Sequence, residues 1–183
     1  MKGSEIDFSI RRRRLCKELL EGSVVIVGSA SSQYRNADAE FPFRQDSNFY
    51  YLSGFDEPES IIVLRPFAKD KKFIIFCRDR DPLKEQWDGF RSGQEGAIED
   101  FGADEAYSIS LVDELMPSLI EGASNIYYSM SSPNGINLKI EGWLNQIRAN
   151  SRQGSEVPEN LLSLDSIVDE LRCTLFINSI ISR

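Results

Sequence analysis

The segment "SIIVLRPFAKDKKFIIFCRD", residues 60–79, contains two apolar, β-branched runs separated by a short polar connection. Each run has the length and composition of a buried strand. The connection "FAKD", residues 67–70, is short enough for a hairpin. Because hairpin strands run in opposite directions, this segment predicts that antiparallel pairing enters the central sheet here.

Helical and strand patterns alternate on both sides of this hairpin. Upstream, "FSIRRRRLCKELLEGS" predicts a helix over residues 7–21, and "SVVIVG" (residues 23–28) predicts a buried strand. Downstream, strand patterns are present in "ADEAYSI" and "NIYYSM", and helical patterns in "DPLKEQWDG", "QEGAIEDFG", "SLVDELMPSLIEG", "GINLKIEGWLNQIRAN" and "SLDSIVDELR". Pro117 is expected to bend or divide its helix. This order predicts an α/β fold with a mixed β-sheet of about six strands and helices on both faces.

The segment "NFYYLSGF", residues 48–55, supplies large rings on both faces of a strand and is therefore predicted to be a central strand. Arg44 and Asp46 lie two residues apart just before it and are expected to anchor the loop through a charge-assisted bond. Gly54 and Pro58 are expected to bracket the turn that follows.

Composition favours one soluble globular domain, because the 183 residues are 41% apolar and 27% charged. The net charge of −8 opposes binding to nucleic acid, so the cluster Arg11 to Arg14 is interpreted as a solvated helical face. No apolar run approaches the roughly 20 residues that span a bilayer, so no membrane association is expected. Cys16, Cys77 and Cys173 have no paired spacing, which favours reduced thiols and a cytoplasmic location.

Histidine is absent from the sequence. A Ser/His/Asp or Cys/His triad, a His-ligated zinc and a histidine general base are therefore excluded from this chain. Carboxylates do cluster in "CRDRDPLKEQWDG", residues 77–89, but arginines interleave with them. A salt-bridged surface loop is the expected structure there, and we assign neither catalytic residues nor metal ligands in this chain.

Two longer segments, "FPFRQDSNFYYLSGFDEPES" (residues 41–60) and "DPLKEQWDGFRSGQEGA" (residues 81–97), resemble the amino-terminal domain of aminopeptidase P, the Xaa-Pro aminopeptidases. The resemblance runs from about residue 7 to residue 172. It implies an α/β domain, similar to that of creatinase and prolidase, which precedes a pita-bread catalytic domain with two metal ions, usually manganese. The metal ligands, which include a histidine, lie in that second domain. We therefore expect no cofactor in this chain.

The resemblance also implies site residues. Trp87 matches a tryptophan whose loop approaches the active site of a neighbouring subunit, although a partly buried core ring is the alternative. Arg91 and Gly93 match the pattern as well and are expected to shape this loop. Six further matches are expected to be architectural: Arg44, Asp46, Tyr51, Gly54, Glu57 and Pro58.

We expect residues 1–172 to form the aminopeptidase P amino-terminal domain and residues 173–183, "CTLFINSIISR", to form an atypical tail. A frameshifted or otherwise truncated reading frame, or a chosen expression boundary, would explain this tail. The expected function is a non-catalytic domain that forms homo-oligomers, joins the pita-bread domain and gates substrate entry. A stand-alone peptide- or protein-binding module is the alternative, and an enzyme that uses only carboxylates is a third possibility.

Overall fold

Helices and strands alternate along the computed structural model, which describes residues 7–31, 34–36, 39–40, 42–132, 134–150 and 156–181. The elements within these ranges are α1 Phe8–Glu18, β1 Ser23–Gly28, β2 Tyr34–Asn36, β3 Ala39–Glu40, α2 Ser47–Ser53, β4 Ile61–Leu64, β5 Phe73–Cys77, α3 Pro82–Asp88, α4 Gly93–Glu99, β6 Glu105–Ser108, α5 Val112–Ile120, β7 Asn125–Tyr128, α6 Ile136–Asn150, β8 Asn160–Ser163 and α7 Asp165–Ile181. A single 3-10 turn, Ile109–Leu111, precedes α5.

Six strands form one mixed sheet in the order β6-β5-β4-β1-β7-β8. Strand β4 runs antiparallel to β1 and β5, and the other neighbouring pairs are parallel. The predicted hairpin is confirmed, with Ile61 opposite Phe76 and Leu64 opposite Phe73. The predicted fold class, a mixed α/β sheet of six strands, is also confirmed. Strands β2 and β3 form a separate antiparallel pair.

Helices cover both faces of the sheet, and each face has its own apolar cluster. Side chains of α1, α2, α4 and α7 pack on one face, and those of α5 and α6 pack on the other. Val25 and Val27 of β1 point to the first cluster, whereas Ile26 points to the second. Because both faces are covered, the central strands are continuous apolar runs, which is the pattern that made them recognisable in the sequence.

The segment "NFYYLSGF" is not a strand, because its residues form helix α2 and the turn after it. The Asp46 carboxylate accepts hydrogen bonds of 2.9 Å from the backbone N–H groups of Asn48 and Phe49, which caps the helix. Gly54 ends it in the left-handed conformation, with φ of +71°. These two caps outweigh the β-propensity of the aromatic residues. Asp46 therefore caps helix α2 instead of forming the expected bond with Arg44.

The sixth strand of the sheet is β8, which the sequence did not predict. It begins at the end of the polar segment "SRQGSEVPENL", residues 151–161, whose composition is typical of a linker, and it continues to Ser163; residues 151–155 lie outside the described residues. Strand β8 pairs with β7 at the edge of the sheet, and its side chains are exposed or half-buried. An edge strand of this kind lacks the apolar run that marks a central strand.

Two helices are more continuous than predicted. Helix α5 runs through Pro117 without division, since proline removes only one hydrogen bond within the helix, and the Glu121 N–H still donates to the Pro117 carbonyl at 3.0 Å. Helix α7 extends to Ile181, beyond the predicted helical pattern "SLDSIVDELR" and through most of the tail; residues 182–183 lie outside the described part. The β-branched residues there cost only about 0.5 kcal/mol each in a helix.

Candidate functional site

Three large apolar side chains are exposed close together in the chain, on and just after α3. The exposed fractions are 76% for Leu83, 87% for Trp87 and 70% for Phe90. Leu83 and Trp87 are four residues apart and so lie on the same face of the helix. We call these three residues the Trp87 platform. The exposure of the Trp87 ring rules out its packing in the core, and a cluster of exposed apolar groups is typical of an interaction surface.

A capping carboxylate and a glycine set the start and end of the helix that carries the platform. The Asp81 carboxylate accepts from the backbone N–H groups of Leu83 (3.2 Å) and Lys84 (3.3 Å), and Pro82 occupies the first turn. Gly89, with φ of +86°, ends the helix. The chain therefore turns at Gly89, between Trp87 and Phe90, and Phe90 lies at the surface.

Arg80 links the helix to Phe90. Its guanidinium donates two hydrogen bonds of 3.3 Å to the Glu85 carboxylate and lies 5.0 Å from the centroid of the Phe90 ring. The hydrogen bond from Arg80 lowers the pKa of Glu85. Because Arg80 is exposed and Glu85 is half-buried, the pair contributes little to stability. Its effect is to orient the loop.

Buried charged groups anchor both ends of the loop. The Glu57 carboxylate accepts a 2.7 Å hydrogen bond from the Ser92 backbone N–H, and its second oxygen lies 3.7 Å from the Arg78 guanidinium. Arg91, also buried, donates to the Asp79 carbonyl at 3.3 Å. Glu57 thus connects the segment before the platform to the segment after it. Such a base holds the backbone at both ends of the loop in one conformation.

Asp79 and Gly93 complete the base of the loop. The Asp79 carboxylate accepts from Gln94 Nε2 at 2.9 Å and from Ser108 Oγ at 2.7 Å. Gly93 has φ of +64°, and a Cβ atom there would lie 2.6 Å from Arg80 Cγ. Gly93 therefore permits the close approach of Arg80 that the loop requires.

The site residues inferred from the resemblance fall into two regions. Glu57, Arg91 and Gly93 lie at the base of the Trp87 platform, with Pro58 beside Glu57. The others surround α2: Arg44, Asp46, Tyr51 and Gly54. Sequence reasoning missed Arg78, Leu83 and Phe90. The two apolar residues could have been found, since they lie among charged residues with no periodic partner that would bury them.

The arrangement supplies a surface rather than reacting groups. Cys77 is fully buried, and burial raises the pKa of its thiol to about 12, which makes it a poor nucleophile. Over the described ranges, no group of three or more His, Cys, Asp or Glu residues is placed to hold a metal ion. Nor does any helix in the same ranges have the length and apolar character needed to cross a membrane.

Comparison with known proteins identifies relatives of this domain. The family model described as "Aminopeptidase P, N-terminal domain" matches residues 8–127. The Xaa-Pro aminopeptidase of Escherichia coli is 31% identical over 170 residues, which cover 92% of this chain and 38% of the relative. That of Haemophilus influenzae is 38% identical over 122 residues, which cover 67% and 28%. The structure of Pseudomonas aeruginosa aminopeptidase PepP has a TM-score of 0.84 and 39% identity.

The match to the solved structure covers 90% of this chain and 38% of the Pseudomonas aeruginosa chain. These shares are similar to those for the Escherichia coli relative. The chain thus spans about 38% or less of the length of these relatives. Both the family match and the shared fold lead to one assignment: the chain belongs to the aminopeptidase P family, and its fold is that of the family's N-terminal domain.

Proposed function

We propose that the chain is the non-catalytic N-terminal domain of a manganese-dependent Xaa-Pro aminopeptidase. In this proposal it forms homo-oligomers, and the Trp87 platform restricts access to the active site of a neighbouring subunit. The observation that carries the proposal is the 87% exposure of the Trp87 ring on a loop whose base is held by Glu57 and Arg91. A ring that is already oriented loses little conformational entropy on association.

Catalysis belongs, in this proposal, to the pita-bread domain, which lies outside this chain and holds the two manganese ions. The three free cysteines, Cys16, Cys77 and Cys173, support a cytoplasmic location, where thiols stay reduced. The residues of this chain contribute apolar surface and its orientation, and they take no part in a chemical step.

Replacing Trp87 with alanine is expected to weaken self-association about 30-fold, the effect of losing a central interface ring worth about 2 kcal/mol. Size-exclusion chromatography with light scattering over a concentration series measures the dissociation constant. The control is Phe67→Ala, which removes a ring that is 51% exposed on the turn between β4 and β5. A monomeric wild-type chain at all concentrations, or equal effects of the two variants, would contradict the assembly role.

Manganese-dependent turnover is expected to be absent from the purified chain. The reason is that its described residues offer no cluster of metal ligands. The measurement is release of the first residue from a Xaa-Pro peptide with and without added manganese, with the Escherichia coli enzyme as positive control. Hydrolysis that rises with added manganese and follows the protein peak on a column would support the carboxylate-only enzyme instead.

A stand-alone peptide- or protein-binding module is the second candidate, and the exposed platform favours it equally. A chimera distinguishes the two proposals. It is the Escherichia coli enzyme with its N-terminal region replaced by residues 1–172 of this chain. Substrate gating requires that Trp87→Ala alters kcat/KM for long peptides relative to short ones in this chimera. A binding module leaves that ratio unchanged.

A further inference from the structure

A surface pocket of about 440 Å³ lies between α1, α2 and α7, away from the Trp87 platform in sequence and sharing no residue with it. Three arginines from separate elements line it: Arg11 of α1, Arg44 just before α2 and Arg172 of α7. We call it the arginine pocket. Among the described residues that line it, Asp56 is the one acidic group. This concentration of positive charge is local, since the whole chain carries a net charge of −8.

The contacts of Arg11 and Arg172 leave much of their charge available, and Arg44 is exposed. Arg11 donates to the Tyr51 carbonyl at 3.2 Å and lies over the Phe8 and Tyr51 rings, all of which are neutral groups. Arg172 donates to the Asn48 side-chain oxygen at 3.4 Å, and its ion pair with Asp169, at 3.7 Å, is exposed. Exposed pairs are weak and exchange readily. The guanidinium groups can therefore donate hydrogen bonds to an anionic partner that binds more strongly than these contacts.

Tyr51 adds an unsatisfied donor at the same place. The side chain is only 7% exposed, and its hydroxyl oxygen has no hydrogen-bond partner among the described residues. Burial raises the pKa of Tyr51, while the charges of Arg11, Arg14 and Arg172 oppose that rise, so the hydroxyl lies within the field of these arginines. A buried hydroxyl without a partner is unfavourable. An acceptor that reached it through the arginine pocket would remove this penalty.

The rim of the pocket indicates what kind of ligand it takes. Phe43 and Tyr50 line it and are exposed. Exposed aromatic rings beside arginines are typical of protein interfaces, whereas a small-molecule site encloses most of its ligand. The planar guanidinium fork matches a carboxylate, which accepts two hydrogen bonds from it. We propose that the arginine pocket is a docking site for an acidic protein segment, whose Asp or Glu carboxylates bind Arg11, Arg44 and Arg172.

A fluorescein-labelled hexaglutamate peptide tests this proposal on the full 183-residue chain, with fluorescence anisotropy at an ionic strength of about 0.15 M as the readout. The double variant Arg44→Gln/Arg172→Gln is expected to raise the dissociation constant about tenfold or more, because charge-assisted hydrogen bonds are lost. The charge-matched control is Arg13→Gln/Lys17→Gln, which alters exposed residues of α1 that do not line the pocket. The control is expected to stay within about twofold of the wild type, because a distant exposed charge contributes little at a specific site.

Three results would overturn the proposal. The first is no peptide binding at millimolar concentration, and the second is an equal loss of affinity in the two double variants. The third is displacement of the peptide by free citrate or inorganic phosphate at concentrations near the dissociation constant of the peptide. The last would identify a site for free anions. An NMR titration of the wild-type chain with unlabelled peptide covers the case in which the first variant fails to fold. Shifts of the Tyr51 and Arg172 amides support docking, and shifts confined to other regions contradict it.

Discussion

Replacing Glu57 with alanine is expected to lower the free energy of unfolding by about 3 kcal/mol, at the lower end of the cost of breaking a buried ion pair. The carboxylate is buried, accepts the 2.7 Å bond from the Ser92 N–H and faces the Arg78 guanidinium at 3.7 Å. Alanine leaves the half-buried Ser92 N–H without its acceptor and the half-buried Arg78 guanidinium without its ion-pair partner. Urea unfolding followed by circular dichroism measures the loss.

Two control variants separate the charge of Glu57 from its hydrogen bond. Glu57→Gln keeps an acceptor for the Ser92 N–H and is expected to lose about half as much, roughly 1–2 kcal/mol. Glu99→Ala removes an exposed carboxylate at the end of α4 and is expected to change stability by less than about 0.5 kcal/mol. If Glu57→Ala behaves like Glu99→Ala, the buried base does not hold the loop of the Trp87 platform.

Gly54→Ala is the substitution with the second largest expected effect, a loss of about 2 kcal/mol. Gly54 has φ of +71°, which L-residues adopt at a cost, and a Cβ atom there would lie 2.5 Å from a ring carbon of Phe8. Alanine therefore strains the end of α2 and pushes it away from α1. Thermal or urea unfolding monitors the change.

Gly142 offers a matched control for Gly54. It lies inside α6, its φ is ordinary for a helix, and a Cβ atom there meets no other atom within 4 Å. Gly142→Ala is expected to raise the free energy of unfolding by about 0.5–1 kcal/mol, because alanine favours the helix. Opposite signs for the two glycine variants would show that backbone conformation, rather than loss of glycine itself, decides the effect. Equal signs would contradict this account of the α2 cap.

The candidate site was predicted in part. The resemblance singled out Trp87, Arg91 and Gly93, but it left open whether the Trp87 ring is buried. The exposure of Trp87 depends on the short α3 and on the Gly89 turn, which expose Leu83 and Phe90 beside it. The role of Glu57 depends on Ser92, 35 residues later, so no local pattern reveals it.

The sequence by itself determined the mixed α/β architecture, the central hairpin and the absence of histidine chemistry. Continuous apolar runs such as β1 and β5 are recognisable because both faces of the sheet bury them, so every position carries the same signal. Tertiary structure decided the edge strand β8 and the arginine pocket, whereas the helical state of residues 47–53 follows from the local caps at Asp46 and Gly54. Local preferences differ by only a few tenths of a kcal/mol per residue, whereas caps and long-range contacts, such as that of Arg172 with Asn48 across 124 residues, contribute more.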